Sequence, residues 1–505
     1  YVSPAFADLF RWPFATNVEQ NGAYITFGLG SWNLLPAANG VVQWQVADES
    51  GDGVKGVAKT VFRQVVWDNW QCDSCTPSQP ETKFMQIHTA VLSDLPPNLR
   101  ICYSVFVNAT LVASGFSFRS SVAQAEENLR LMAWGDFGLG TETTYVNLSS
   151  PEARVARAMN NSWLAAEAAG APFNALLALG DDTYFFGKPH EYDQRTFPYF
   201  QGLWSQTSLF LTPGNHDYTA RNDSSQLSNS TQRKSRWPQN QINQAERLTG
   251  DMAKAYLAFF PQKPTNNQSS DYSPPTQPYG SRYFSHDMGK VHFVNLDTEW
   301  LQYQNASQKD GMVEWLVADL ASENARKANW RIVYMHKMPW DLGLPDNSEI
   351  HALLMPAFEN GQVQLVLGGH YHHYENYGPV KQYVATPTPQ GGVLYAVSGG
   401  GGYSIDHDCV FQSQAGSLAN EGASDYNKNG YNSSDALLRN AARTEHEASK
   451  ARAAASGAQP FKPNIAVCNT YHWLELEVSR CSIQINAVAE NGSRFDSQVV
   501  ERCEH

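Results

Sequence analysis

The stretch Leu365–Tyr374, LVLGGHYHHY, limits the folds open to this chain more than any other. Its aliphatic run specifies a buried strand, Gly368 and Gly369 permit a tight turn at the end, and His370, His372 and His373 follow at once. Open α/β folds keep their sites at the carboxyl ends of strands, so a metal would be held at such a rim. Histidines two apart on an extended segment point to opposite faces. His370 and His372 are therefore expected to serve two neighbouring ions, or two sides of one centre. The competing reading is a histidine-rich surface loop, and carboxylates at other strand ends decide against it.

Such tips occur elsewhere. LRLMAWGDFG ends on Asp136, FNALLALGDDTY on Asp181 and Tyr184, SLFLTPGNHD on Asn215 and His216, and WRIVYMH on His336. Each polar group taken singly has an ordinary explanation as a turn or core residue, but their joint placement at strand ends does not. Hard oxygen donors from Asp136, Asp181 and Tyr184 favour a strongly acidic or trivalent ion, whereas Asn215, His336 and His370 suit a divalent one. Asp181 can bridge the two. That would hold the ions roughly 3.5 Å apart, the spacing that activates a hydroxide and grips phosphoryl oxygens.

The rest of the chain predicts two domains, since 505 residues exceed one ordinary core. Residues 1–122 read as an all-β sandwich with an apolar N-terminal arm lying against something. The runs AYITFG, GVVQWQV, FMQIHTAVL, CYSVFV and LVASGFSFRS are short, alternate, and are separated by Gly, Pro and Asn turns. Residues 123–505 alternate strand and helix and predict a layered α/β domain. Its first helix starts at Pro151 and stops at Gly170, and QKDGMVEWLVADLASENARK is a second helical stretch. Residues 217–240 and 261–278, dense in Ser, Asn, Gln and Pro, read as surface excursions. Residues 406–460 read as an insertion, and the final alternating runs add strands to the edge of the second domain.

Composition excludes several classes. A formal charge of -13 with no basic stripe argues against nucleic acid as a partner. No apolar run is long enough to span a bilayer, and the opening YVSPAFADLF reads as a mature chain whose leader has been removed. Sequons at Asn108, Asn147, Asn160, Asn222, Asn229, Asn267, Asn305, Asn432 and Asn491 add to the expectation of a secreted, extracellular, vacuolar or cell-wall glycoprotein. Seven cysteines permit three bridges and leave one thiol over. Cys72 and Cys75 read as a local disulfide, and Cys468 and Cys481, which bracket two alternating runs, as the closure of a hairpin.

The ordered set GDFG, GDDTY, GNHD, VYMH and GHYHHYE resembles the metallophosphoesterase superfamily, and the tyrosine three residues after Asp181 resembles the purple acid phosphatases in particular. The resemblance covers residues 128–404 and implies an α-β-β-α catalytic domain. The β-rich start is similar to the fibronectin-like domain of the large, plant-type members. Residue by residue, the resemblance implies that Asp136, Asp181, Tyr184 and His372 hold Fe(III), with the tyrosinate giving a purple colour. Asp181, Asn215, His336 and His370 would hold a divalent partner, zinc, iron or manganese. His216 matches the histidine that meets the substrate phosphate and assists the leaving group, while His373 and Glu375 orient the ligands. Two departures stand out. KMPWDLGLPDNSEIH replaces the further substrate histidines usual after VYMH, leaving His351 as the nearest, and Asp182 is acidic where a small or neutral residue is common.

The function implied is hydrolysis of small phosphate monoesters by a hydroxide carried on a binuclear centre, with an acidic working range. A phosphodiesterase or nucleotide-cleaving enzyme on the same centre is one alternative. A secreted binding protein that keeps the fold without turnover is another. GDFG and GGGG lack the GxGxxG or GxxxxGK spacing of nucleotide cradles.

Overall fold

The computed structural model describes residues 8–19, 21–31, 36–47, 55–67, 83–138, 148–184, 187–218, 253–261, 282–303, 306–339, 348–381, 384–403, 405, 463–467 and 469–503. Seven strands come first: β1 (Asp8–Glu19), β2 (Gly22–Ser31), β3 (Gly40–Val46), β4 (Lys55–Trp67), β5 (Lys83–Ser93), β6 (Arg100–Val107) and β7 (Thr110–Arg119). They form the expected sandwich around Ile25, Phe27, Val42, Ile101, Val105 and Phe118. Two of them escape a reading by periodicity. The first is β4, which changes partner along its length, pairing with β3 at Lys55–Lys59 and with β5 at Thr60–Trp67.

The second is β1. The expected arm is a strand that pairs antiparallel with β2 and parallel with β10 (Ser208–Leu211) of the α/β part, through Ala15↔Ser208 and Thr16↔Leu209. Arg11 anchors it further. Its buried guanidinium lies 2.6 Å from Asp193 and over the rings of Phe259 (3.4 Å) and Phe197 (4.5 Å).

In the α/β part, β8 (Leu129–Trp134), β9 (Ala175–Ala178) and β10 run parallel. A second sheet holds β11 (Phe284–Met288), β12 (Val291–Leu296), β13 (Trp330–Lys337), β14 (Leu365–Gly369), β15 (Tyr374–Lys381), β16 (Val384–Ala385), β17 (Val393–Ser398) and β18 (Pro463–Val467). The closing strands β19 (His472–Val478), β20 (Ser482–Ala489) and β21 (Arg494–Glu501) extend the first sheet beyond β8, as the alternation of the last segment predicts. Period two explains the layering. Leu131, Leu177 and Phe210 face Phe293, Ile332, Leu367 and Leu394 across the inter-sheet core, while Met132, Trp134 and Leu176 point outward. The outward set packs on helix α1 (Pro151–Ala168) and helix α3 (Phe197–Trp204), with α2 (Pro189–Arg195) between them in sequence. Val294, Val333 and Val366 of the other sheet pack on Leu316, Leu354 and Phe358 from the helices Ala306–Leu320 and Ser348–Asn360. The result is the α-β-β-α order, and strands buried on both faces explain the near-continuous apolar runs.

Three local expectations are corrected. The stretch read as one helix divides at Ser322, whose hydroxyl accepts from the Ala325 N–H and starts a second helix, Glu323–Lys327. Cys481 pairs with Cys503 rather than Cys468, joining the start of β20 to the end of β21 with Cα atoms 5.1 Å apart. Asp217 and Tyr218, read as the start of a surface excursion, are buried. Most of that excursion, most of 261–278, the 406–460 insertion, the Cys72–Cys75 pair and the sequons at Asn147, Asn222, Asn229, Asn267, Asn305 and Asn432 lie outside the described residues.

His292 clamps the second sheet to its helices. Its ring nitrogens lie 2.7 Å from Asp287 and 2.9 Å from Asp319, and Asp319 also accepts from Ser285. Burial opposes the imidazolium, but the two carboxylates outweigh it and lift the pKa to about 9. A pKa raised above the unfolded value stabilises below about pH 6.5, and the effect fades as pH rises through 9. Its full size is roughly 3 kcal/mol. His292→Gln should therefore lower the thermal midpoint most near pH 6, and the gap from the parent should close at about pH 10. Equal gaps at both pH values would sink the clamp.

Candidate metal centre

All five tips converge at one edge of the two sheets. Hydrogen bonds between the sheets fix that edge: Thr212 Oγ1 donates to the Leu296 carbonyl (2.9 Å), and the Gly135 N–H donates to the Ser398 carbonyl (2.9 Å). Asp136, Asp181 and His370 hold left-handed backbone angles, with φ of 59°, 54° and 76°. Non-glycine residues rarely adopt these values, and here they turn the chain sharply as each strand ends. The histidine tip is accordingly bent rather than extended. His370 and His372 do diverge, but through the left-handed turn at His370 and not through strand alternation.

Asp136, Asp181 and His336 are fully buried, and one donor atom from each lies within 4.8 Å of the others. His336 Nδ1 donates to the Leu179 carbonyl (2.8 Å), which turns Nε2 inward, as a proton donor when the ring is charged and as a lone pair when a cation takes the proton's place. That nitrogen sits 3.1 Å from Asn215 Oδ1 and 3.3 Å from Asp181 Oδ1. The other Asp181 oxygen is buried without a hydrogen-bond partner. Acceptor atoms converging in this way repel one another unless a proton or a cation lies between them, and a donor set of N and O fits a metal ion.

On the other side, Tyr184 O–H donates to Asp136 Oδ1 (3.1 Å). His372 Nε2 stands 3.4 Å from the same oxygen and 3.5 Å from the phenol. The His370 N–H donates to Asp136 Oδ2 (2.7 Å), and the His370 ring meets the His336 ring edge-on at 5.1 Å. The structure thus brings all seven expected ligands together. Asn215, His370 and His372 are the partly exposed ones, which marks the open side.

Electrostatics divides the set. Burial raises the Asp136 carboxyl, with partial relief from His372 and His336. Burial also opposes ionisation of Asp181, but His336 and His216 outweigh it and its pKa falls. For His336, burial is overcome by Asp181 and Asp136, and the pKa rises to about 9. His370 is pushed well below its usual value by burial, Lys337 and His336, which leaves it a neutral donor. Burial, Asp136 and Asp181 drive the Tyr184 phenol well upward, so holding it as a phenolate takes a bound cation.

His216 is also buried. Its N–H donates to Asp181 Oδ1 (2.7 Å), its Nε2 is 3.8 Å from Asp181 Oδ2, and its ring lies 4.1 Å from that of Tyr184. His373 pairs with Glu375 at 3.5 Å, and Tyr377 O–H donates to Glu375, behind the tip. Lys337, the residue after His336, is buried in an ion pair with Glu299 (2.7 Å) and so is not available as a substrate cation. His351 falls in the first turn of the helix Ser348–Asn360, and its side chain lies outside the described residues.

Asp217 was legible as the last letter of GNHD, but a site role was not assigned to it. Its Oδ2 accepts from the Gly214 N–H (2.7 Å) and the Asp182 N–H (3.1 Å), and its Oδ1 from Tyr192 O–H (2.6 Å). It thereby staples the Asn215 turn to the Asp181 turn. Tyr403, which follows the glycine run, was also missed, although its ring stacks on Tyr184. Asp182 is fully buried with neither oxygen hydrogen-bonded. Burial and then Asp217 push its carboxyl well upward, which keeps it neutral.

Residues 152–374 match the family model described as calcineurin-like phosphoesterase. That stretch, about 44% of the chain, carries β9 to β14 and four of the five strand-end tips, and with the layered sheets and the buried donor cluster it is similar to the calcineurin-like phosphoesterases. Among relatives, the chain is 30% identical over 128 residues to purple acid phosphatase 21 of Arabidopsis thaliana, covering 25% of this chain and 28% of that protein. It is 24% identical over 329 residues to probable inactive purple acid phosphatase 9 of the same plant, covering 61% and 46%. The chain therefore spans less than half the length of either. The solved purple acid phosphatase from yellow lupin (Lupinus luteus) seeds superposes with a TM-score of 0.64 at 16% identity, covering 98% of this chain and 74% of that one, which shows a shared fold.

Removing the staple should loosen both turns together. Asp217→Ala strands three donors in the interior, each costing about 1–3 kcal/mol. The expected result is a melting midpoint several degrees lower with weakened metal retention, and Asp217→Asn should restore part of each. An Ala variant with the parent's midpoint and metal content would remove Asp217 from this role.

Proposed function

We propose that this protein is a phosphohydrolase of the purple acid phosphatase type that cleaves small phosphate monoesters at a centre of two metal ions. The observation that carries the reading is the meeting of His336 Nε2, Asn215 Oδ1 and Asp181 Oδ1 within 3.1–3.3 Å beside an unpartnered Asp181 oxygen. Asp136, Asp181, Tyr184 and His372 would hold Fe(III), and Asp181, Asn215, His336 and His370 a divalent zinc, iron or manganese. When bound, the cations supply positive charge for the phosphoryl oxygens and acidify the attacking water, which suits an acidic working range.

The protein's own part is to hold and orient. Leu179 locks the His336 tautomer, Asp217 joins the two ligand turns, and burial of Asp136, Asp181 and Tyr184 keeps water from competing for them. His216, within 3.8 Å of Asp181, is assigned to stabilise the departing alcohol oxygen as a proton donor. Its burial against Tyr184 favours a second reading, in which it packs beneath the centre. A non-catalytic protein is the other alternative, suggested by the relative named probable inactive. A phosphodiesterase on the same centre is the remaining alternative, and turnover of a monoester, of a diester or of neither separates these three functions. Secretion is proposed from the Cys481–Cys503 bridge and from the exposed sequons Asn108 and Asn491. Asn160 instead lies within α1.

Elemental analysis should find two metals per chain, one of them iron, with a visible band that disappears in Tyr184→Phe. Zinc in both positions would keep the phosphoesterase reading and lose the tyrosinate.

His216→Ala should retain both metals and lose about 100-fold to 10,000-fold in turnover. That loss should be largest for an alkyl phosphate and smaller for a nitrophenyl ester, whose leaving group needs little protonation. A loss equal for all esters, tracking metal content, would assign His216 to packing.

A further inference from the structure

The glycine run 399–402 has no spacing for a phosphate cradle, and the centre described above does not account for it. It leads from the end of β17 across the tip of β8 to Tyr403. The Gly401 N–H donates to the Gly135 carbonyl (2.9 Å), and the Tyr403 N–H to the Asp136 carbonyl (3.0 Å). A Cβ on Gly401 would fall 2.3 Å from the Gly135 oxygen. One on Gly402, at φ 149°, would fall 2.4 Å from Glu152 Cβ in the first turn of α1. Only a chain without side chains can thread this gap, and the residue it delivers next is aromatic.

The Tyr403 ring lies face to face with Tyr184, centroids 4.0 Å apart at 9°. It meets His372 edge-on at 4.7 Å and 72°, and lies 6.3 Å from the His216 ring. Tyr184 and His372 are the two ligands assigned to one side of the centre that do not come from an aspartate. A phenol reaches a common point with Asp136 only in one ring plane, and a parallel ring at van der Waals distance restricts rotation out of that plane.

We propose that Tyr403 is a positioning residue that fixes the plane of the Tyr184 ring and the edge of His372, with the glycine run as the saddle that holds it there. The proposal rests on the reading of these residues as a metal centre.

The test uses the full chain carrying its metals, with Tyr403→Phe and Tyr403→Leu compared for metal content, visible absorption, kcat and KM on nitrophenyl phosphate, and melting midpoint. The Phe variant keeps the stack and should match the parent in all of these. The Leu variant should retain both metals but show a shifted and weakened tyrosinate band. Its kcat should fall on the order of 10-fold, as for a small misplacement of a reacting group, with KM nearly unchanged. Tyr403→Met, which fills the space flexibly, takes its place if Leu does not fold.

A Leu or Met variant with the parent's band and kcat overturns the proposal, as does one that loses metal in proportion to activity. The underlying reading fails separately, in the parent alone. A parent without metal ends the metal-centre assignment before any variant is compared. A parent with two zinc ions has no band, and kcat at constant metal content then decides the role of Tyr403.

Discussion

Two carboxylates buried at the ends of neighbouring strands, Asp136 and Asp181, are the constraint on which the rest of this structure depends. An ionised carboxylate taken out of water is costly unless charge is returned to it. Around this pair the protein supplies imidazoles, an amide, a phenol and backbone N–H groups, with His216 N–H on Asp181 and His370 N–H on Asp136 at 2.7 Å each. Those donors orient the carboxylates but do not use them up, since one Asp181 oxygen accepts no hydrogen bond and has His216 Nε2 only at 3.8 Å. A site that organises acceptors toward one another is suited to a proton or a cation.

That demand explains why the two sheets meet as they do. The candidate ligands come from strand ends of both sheets, so bringing them together requires the sheets to be held in fixed register at one edge. The bonds from Thr212 to Leu296 and from His336 to Leu179 do this within the site itself. The left-handed angles at Asp136, Asp181 and His370 are the local cost, and they sit where the surrounding packing can enforce them. Even the amino-terminal strand takes part. By pairing with β10 it extends the sheet that carries the Asn215 turn.

The candidate donors and the layered fold were legible because each rests on a local pattern: an apolar run of strand length, a small turn, and a side chain with metal-ligand chemistry. What escaped depends on contacts between distant segments. The parallel pairing of β1 with Ser208 and Leu209 escaped because those residues lie nearly two hundred positions away, while its register with the neighbouring β2 is broken by irregularities that blur the alternation. β4 is obscured because its halves serve different neighbours. Cys481 joins Cys503 because β20 and β21 form a hairpin, a pairing that spacing alone left open. Helix Ala306–Leu320 stops short because Ser322 caps a new start at Glu323, a break that the continuous helical pattern of the stretch conceals.

Site residues divide along the same line. Asp136 and His370 carry their chemistry in their motifs, whereas Asp217 and Tyr403 act through what they touch. A buried acid that accepts three hydrogen bonds looks in sequence like any turn aspartate. A tyrosine after four glycines looks like the end of a loop until Tyr184 is found beneath it. The division has a physical basis: ligand identity is fixed by donor chemistry, which a residue type declares, whereas ligand orientation is fixed by packing. A fold shared at 16% identity leaves room for both donors and packing to differ. Where the donors are kept, differences in specificity or activity between such proteins are expected in the supporting turns and stacked rings.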